Sequence, residues 1–309
     1  VRGQTPNAAV RGKRFPRAPP GLLECYASAM THNARQRFRA SAKLKLREKY
    51  ADDATFSSRS VNPELSKSKA KALDHKRTAA LIARIDALQD KLYAQHNRKV
   101  LLILQGMDTA GKDGTIRAMF SGISPMGVRA AAFKAPTDNE LAHDYLWRVH
   151  QQVPVKGEIA IFNRSHYEDV LITRVQGMID DDECQRRYAQ IRDFERMLTE
   201  TGTVIVKVFL HISKEEQRQR LQERLDDPDK QWKFNPTDVE QRKKWSEYQR
   251  AYERAIRETN APHAPWYVVP ANSKTHRNLV VASLLLETLE DMDLAYPEPH
   301  PDLSSFTVE

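Results

Sequence analysis

Lys-Val-Leu-Leu-Ile-Leu-Gln-Gly-Met-Asp-Thr-Ala-Gly-Lys-Asp-Gly-Thr-Ile-Arg, residues 99 to 117, is the stretch around which the chain is organised. Val100, Leu101, Leu102, Ile103 and Leu104 form an apolar run too short for a membrane helix and without polar alternation, as in a strand buried inside a parallel sheet. Gly106-x-x-x-x-Gly111-Lys112 then has the spacing of a phosphate-binding loop. Its glycines let backbone N–H groups approach an anion, the following helix adds its positive end, and Lys112 adds a full charge. The candidate phosphate contacts are Gly106, Met107, Thr109, Ala110, Gly111, Lys112, Asp113 and Gly114. A plain strand-turn-helix could use the same glycines for its turn alone, but it would not call for the lysine. The usual loop places Ser or Thr after that lysine to bind a metal. Here Asp113 follows, so Asp108, inside the loop, is the candidate metal ligand.

With 309 residues and 40% apolar content, the chain can bury one large α/β domain with additions. Residues 1–50 hold twelve Lys and Arg against two Glu, which exceeds the formal net charge of +8 and leaves the remainder slightly acidic. A polyanion site in the core must therefore be a local cluster rather than a global field. Cys25 and Cys184 have no paired spacing, so neither a disulfide framework nor a zinc site is suggested, and a cytoplasmic location is expected. No run approaches 18 apolar residues, so no membrane span is expected.

Residues 1–29, rich in Arg, Pro, Gly and Ala, read as a disordered basic leader, with Met30 as the true beginning. Residues 30–66 read as a basic arm, solvated rather than nucleic-acid-binding. From Lys67 to Gln95, apolar residues at three- and four-residue steps describe a helix leading into the first strand. Further strands are expected at Val128–Phe133, Glu158–Phe162, Val204–Ile212 and Trp266–Val269. Thr137-x-x-Glu140 should open a helix through His150, Thr237-x-x-Glu240 a long charged helix to Thr259, and a helix from Leu279 to Leu294 should close the domain. Strands alternating with helices indicate an α/β fold, a parallel five-stranded sheet covered on both faces, within a domain spanning 67–298 and followed by a tail at 299–309. Ligands should bind beyond the carboxyl ends of the strands. Trp147, Trp232, Trp245 and Trp266 read as core or interface anchors.

Several residues at that edge can carry chemistry. The third strand ends in Phe162-Asn163-Arg164-Ser165, where phosphate-loop enzymes usually carry a metal-facing acid; Asn163 offers oxygen without charge, and Arg164 a planar fork for phosphate oxygens or else a surface ion pair. Arg220 and Arg224 share a helix face, with Lys230 and Lys233 in the loop beyond. Six basic and six acidic residues at 213–233 leave a lid and a salt-bridged helix equally open. For a nucleotide, Phe133 or Pro136 could touch the base and Lys134 or Arg117 its phosphate, although Phe133 could equally end a strand and Pro136 stiffen a turn.

Gly-Met-Asp-Thr-Ala-Gly-Lys-Asp-Gly (106–114), Phe-Asn-Arg-Ser-His-Tyr-Glu-Asp-Val (162–170) and Gln-Arg-Leu-Gln-Glu-Arg-Leu (219–225) together resemble the polyphosphate kinase 2 family, as do residues 144–150 and 264–270. The Asn163 form resembles the class III branch, which implies AMP as an acceptor besides ADP. The resemblance implies a P-loop kinase-like fold with a helical lid at about 213–236. It also implies reversible phosphoryl transfer from inorganic polyphosphate to AMP and ADP, giving ATP, with magnesium, for which manganese could substitute, and a homo-oligomer. On this reading Asp108 and Asn163 face the metal, Lys112 and Arg164 neutralise the moving phosphoryl, and Arg220 and Arg224 grip the donor. An ATP-dependent nucleoside monophosphate kinase is the rival enzyme, argued against by Asp113 and Asn163. A nucleic-acid-binding module is the non-enzymatic rival.

Overall fold

The computed structural model describes residues 33–300, 302, 303 and 306. The leader expected at 1–29 and the expected start at Met30 lie outside the described residues. A long helix, α1 (Lys67–Gln95), is capped by Ser66, whose side chain accepts from the Lys69 amide, and it delivers the chain to β1 (Lys99–Gln105). There follow α2 (Lys112–Phe120), β2 (Val128–Ala132), β3 (Ile159–Asn163), α3 (Asp181–Glu200) and β4 (Thr203–His211). Helix α4 (Lys214–Asp226), then α5 (Pro236–Lys243), α6 (Trp245–Thr259), β5 (Trp266–Pro270) and α7 (Lys274–Glu290) complete the order.

All five strands are parallel in the order β2-β3-β1-β4-β5. Central β1 is buried from Val100 to Gln105, which is why its sequence is continuously apolar and not alternating. Helices α1, α2 and α7 pack together on one side, while α3 and α6 pack together elsewhere, α3 against β4. Because β1 and β3 are neighbours, their carboxyl ends set the loop at 106–111 beside residues 163–168. Among the described residues no helix is long and apolar enough to cross a membrane.

Four expectations change. The Thr137 capping box forms in full, but its helix stops at Leu141 and a separate turn spans Trp147–His150. The Asp144 carboxylate takes the Leu146 amide, and such local side-chain bonds compete with helix continuation. The charged helix is opened by Asn235 with Pro236 in its first turn, not by Thr237, and it breaks at Lys244, which turns Trp245 into the core. The closing helix begins earlier, at Lys274, capped by Ser273. Trp232 is no anchor within the fold: it is 77% exposed, with Lys233 over its ring.

Residues 33–66 are not a solvated tail either. Phe38, Leu46 and Phe56 are buried among the basic residues and join the main core. The carbonyl of Phe38 accepts from Val268 and the amide of Ala40 donates to Trp266, so this segment covers the free edge of β5. At its start the Glu287 carboxylate accepts from the amides of Asn33, Ala34 and Arg35, capping the short helix Ala34–Arg37 from across the fold. Net charge concealed this, since three apolar anchors suffice to dock a segment whose cations remain at the surface.

Candidate active site

Between β1 and α2 the chain makes the expected glycine-rich turn. A β-carbon on Gly106 would lie 2.8 Å from the Leu210 carbonyl oxygen, and one on Gly111, at φ +99°, only 1.9 Å from Arg277 Nη1. Glycine is required at both positions by close approach, and at Gly111 by conformation as well. Thr109 also adopts a left-handed conformation, φ 63°, as does Arg164, φ 63°. Non-glycine residues at such angles are strained and cluster at functional sites. Lys112, buried, places Nζ 2.7 Å from the Gly106 carbonyl oxygen. Desolvation, and next the nearby Arg164 charge, hold its pKa below that of an ordinary lysine despite Asp108, Glu168 and Asp113.

Arg164 emerges from the end of β3 and donates through Nη2 to Asp108 Oδ1 at 3.2 Å. Burial works against its charge, but Glu168 and Asp108 more than offset it and keep the pKa above normal. For Glu168, desolvation dominates and raises the carboxyl pKa in spite of Arg164 and Lys112. Beneath this turn lies a wholly buried network. Lys207 Nζ donates to Glu195 Oε2 at 2.5 Å, to the Tyr167 hydroxyl at 2.9 Å and to the Thr259 carbonyl at 2.8 Å. Tyr167 in turn donates to Glu195 Oε1 at 2.8 Å, and His166 Nε2 lies 3.3 Å from the same oxygen. Desolvation opposes the Glu195 charge most strongly, yet Lys207 and His166 together hold its pKa below the usual carboxylate range.

Two clefts meet at Arg164, Glu168 and Ile172. The smaller is floored by Gly106, Met107 and Asp108 and walled by Arg242, Tyr248 and Tyr252. The larger, about 920 Å³, is mostly apolar and is lined by Phe133, Lys134, Pro136, Leu146 and Met178, with buried Arg148 and its ion-pair partner, the half-buried Asp169, as polar groups. Asp238, on α5, pairs with Arg224 at 3.3 Å. Desolvation and the field of Asp108 push its pKa up to about 6.

The loop residues, Arg164, Phe133, Lys134 and Pro136 thus converge at one sheet edge, while others do not join them. Asn163 donates from its amide to Asp113 Oδ1 at 2.6 Å, so it is engaged with Asp113 and not with Asp108. Arg117 is exposed on α2 and lines neither cleft. Lys230 pairs with Asp227 at 2.6 Å, and Lys233 lies over the Trp232 ring; neither lines a cleft. Arg224 donates to the Lys233 carbonyl and to Asp238, tying α4 to α5.

Arg220 requires the largest correction. It is 5% exposed and fully engaged: Nε donates to Glu216 at 2.7 Å, Nη1 to the carbonyls of Thr109 and Ala110, and Nη2 to those of Ala271 and Asn272. It braces the phosphate loop from behind and has no donor group left to grip a polyanion. Arg220→Ala is therefore expected to lower stability by about 3 kcal/mol, because the half-buried Glu216 carboxylate and the carbonyls of Thr109, Ala271 and Asn272 lose a partner, while Ala110 keeps Arg277. It should reduce kcat while moving the KM of both substrates together; a rise confined to the donor KM would return Arg220 to donor binding. Sequence reading also passed over Glu168, Arg148 and Arg277. Ser165-x-x-Glu168 has the spacing of a capping box, which offers Glu168 a purely local role, but Ser165 accepts from the Tyr167 amide instead. The one available signal for Arg148 was a charge inside the apolar run Leu-Trp-Arg-Val.

The sequence profile of the family described as Polyphosphate kinase 2 (PPK2) matches residues 67–297. The chain is 57% identical over 231 residues to the AMP/ADP-polyphosphate phosphotransferase of Meiothermus ruber, covering 75% of this chain and 86% of that protein. To the ADP-polyphosphate phosphotransferase of Rhodopseudomonas palustris it is 44% identical over 239 residues, covering 74% and 83%. The crystal structure of polyphosphate kinase 2 from Arthrobacter aurescens TC1 superposes with a TM-score of 0.82 at 42% identity, covering 89% of this chain and 95% of that one.

Proposed function

We propose a function from the premise that this chain belongs to the polyphosphate kinase 2 family. It is a polyphosphate:nucleotide phosphotransferase that moves the terminal phosphoryl group of inorganic polyphosphate to AMP and ADP. The observation that carries the residue assignments is the meeting of two unlike clefts at Arg164 and Glu168. The polyphosphate end takes the cleft floored by the phosphate loop, and the nucleotide takes the larger, apolar one, its base among Phe133, Pro136, Leu146 and Met178.

An oxygen of the acceptor phosphate attacks the terminal phosphorus of the donor. One phosphorus–oxygen bond forms as the bond to the next bridging oxygen breaks, and the released charge stays on the shortened chain. Such transfer depends on alignment and charge neutralisation and needs no covalent nucleophile. Loop amides and Lys112 hold the donor phosphates, Arg164 neutralises the group in flight from its position between the clefts, and Glu168 and Asp108 fix the guanidinium.

A divalent cation also fits these residues. Among the described residues no cluster of three or more His, Cys, Asp or Glu could cage a metal by itself. Magnesium needs no such cage, since it retains waters and binds through one or two carboxylates together with substrate phosphates. Asp108 would hold it, with Asp113 alongside, and manganese could substitute; the ion would supply further charge neutralisation.

With AMP as sole nucleotide, polyphosphate in excess and adenylate kinase excluded, steady formation of ADP is expected. Chelation of divalent cations should stop it and added magnesium restore it. Conversion of ADP to ATP without any consumption of AMP would remove AMP from the acceptors, and AMP turnover requiring ATP in place of polyphosphate would favour the ATP-dependent reading.

A further inference from the structure

Arg277 stands in the first turn of α7, 3% exposed, against the back of the phosphate loop. Its Nη1 donates to the Ala110 carbonyl at 3.3 Å, and its Nε and Nη2 to the Asn278 side-chain oxygen at 3.1 and 2.9 Å. Among the described residues no carboxylate pairs with it, although nearly every other buried cation of the fold has one: Arg77 has Asp74, Arg148 has Asp169, Lys207 has Glu195 and Arg220 has Glu216. Lys112, the other exception, also belongs to the loop. Desolvation, and next the like charge of Arg220, hold the pKa of Arg277 down to about 10. The guanidinium also occupies the space that a β-carbon on Gly111 would need, and Nη2 lies 3.5 Å from where one on Gly114 would be. Gly111 leaves room for it, and at Gly114 the contact would be an ordinary one.

A buried charge without a counter-ion is costly in the free protein, and here only neutral oxygens of Ala110 and Asn278 meet it, with no carboxylate among the described residues. We propose that Arg277 is a resident countercharge of the phosphate loop, acting through the loop on the bound polyphosphate, whose negative charge is its missing partner. It does not touch substrate and is a positioning residue. Its charge favours the polyanion from a few ångströms behind the backbone that binds it, and its bond to Ala110 fixes the loop carbonyl on the side away from the ligand. The inference rests on the loop being the donor site.

A purely structural arginine and a countercharge predict opposite results for Arg277→Met in the full chain. The Ala110 carbonyl keeps Arg220 as a donor, and methionine fills much of the volume. The ligand-free variant should therefore melt at or above the wild-type temperature, since a buried charge has been replaced by an apolar group. Its Kd for inorganic tripolyphosphate, read by calorimetry, and its KM for polyphosphate should rise by about tenfold, the scale of one charge acting at several ångströms through an effective dielectric of about 20. KM for AMP should stay within about twofold, as for an independent site. Arg277→Lys, which keeps the charge and loses the fork, should restore donor affinity to within about threefold of wild type. A methionine variant that melts several degrees lower or fails to fold, a lysine variant no better than the methionine one, or a loss shared equally with AMP overturns the proposal. Failure of the premise reads differently: tripolyphosphate would then not bind the wild-type loop at all, whereas binding unchanged by Arg277→Met removes only the countercharge.

Discussion

Lys112→Met is expected to lower kcat by on the order of 100- to 1000-fold, the usual loss when one preorganised group facing developing charge is removed. The melting temperature should stay within a few degrees of wild type. Among the described residues the ammonium is bonded to the carbonyls of Gly106 and Met107, and no carboxylate forms an ion pair with it. Its desolvated charge contributes little to the folded state, and methionine retains most of the packing of its stem. Steady-state rates with polyphosphate and AMP, together with a thermal melt, check this directly. More than a tenth of wild-type activity would remove Lys112 from the reaction, and a large fall in melting temperature would recast it as structural.

Lys207→Met should have the largest effect on stability, about 3–5 kcal/mol, because it leaves the Glu195 carboxylate buried without its cation. Denaturant unfolding near pH 7 measures this loss. The pH dependence separates stranded charge from lost packing. In the wild type the Glu195 pKa is depressed, so its contribution is present above the unfolded-state value and is lost as pH falls through the lower folded one. In the variant the abandoned carboxylate shifts upward, and protonating it relieves the buried charge. The deficit should shrink on acidification, and Glu195→Gln in the same chain should recover much of it near neutral pH. A deficit independent of pH would mean that the loss lies in packing. Since His166 and Tyr167 join the same carboxylate, the double variant should also recover activity by keeping the turn that presents Arg164.

What the sequence made legible is what is encoded locally. A continuously apolar run followed by fixed glycine and lysine spacing has few physical interpretations, so β1, its loop and α2 could be read within a residue or two. Arg220 and Arg224 illustrate the limit. Both lie on one helix face, but only Arg220 meets the Thr109 and Ala110 carbonyls, more than a hundred residues earlier in the chain. Spacing along a helix says which side chains are neighbours and nothing about what lies opposite. Asn163 bonding to Asp113, and Arg277 filling the space beside Gly111, are likewise consequences of how the sheet edge closes. The misread arm follows from averaging: charge dominates its composition, while Phe38, Leu46 and Phe56 decide where it lies.

The docking of residues 33–40 on β5 and Glu287 has a consequence for how the protein is made. Residues 33–35 leave the ribosome long before Glu287, which lies 252 to 254 positions later, and Phe38 and Ala40 likewise precede Val268 and Trp266, so the segment waits for nearly the whole domain to be translated. At typical elongation speeds of about 5–20 residues per second that wait is roughly 10–50 s. Throughout it Phe38 has Phe56 beside it but neither β5 nor α7 to dock on, and the edge of β5, once made, stays open until the segment closes over it. The nascent chain is thus most exposed to chaperones, and to pairing with other chains through that edge, just before this domain is complete.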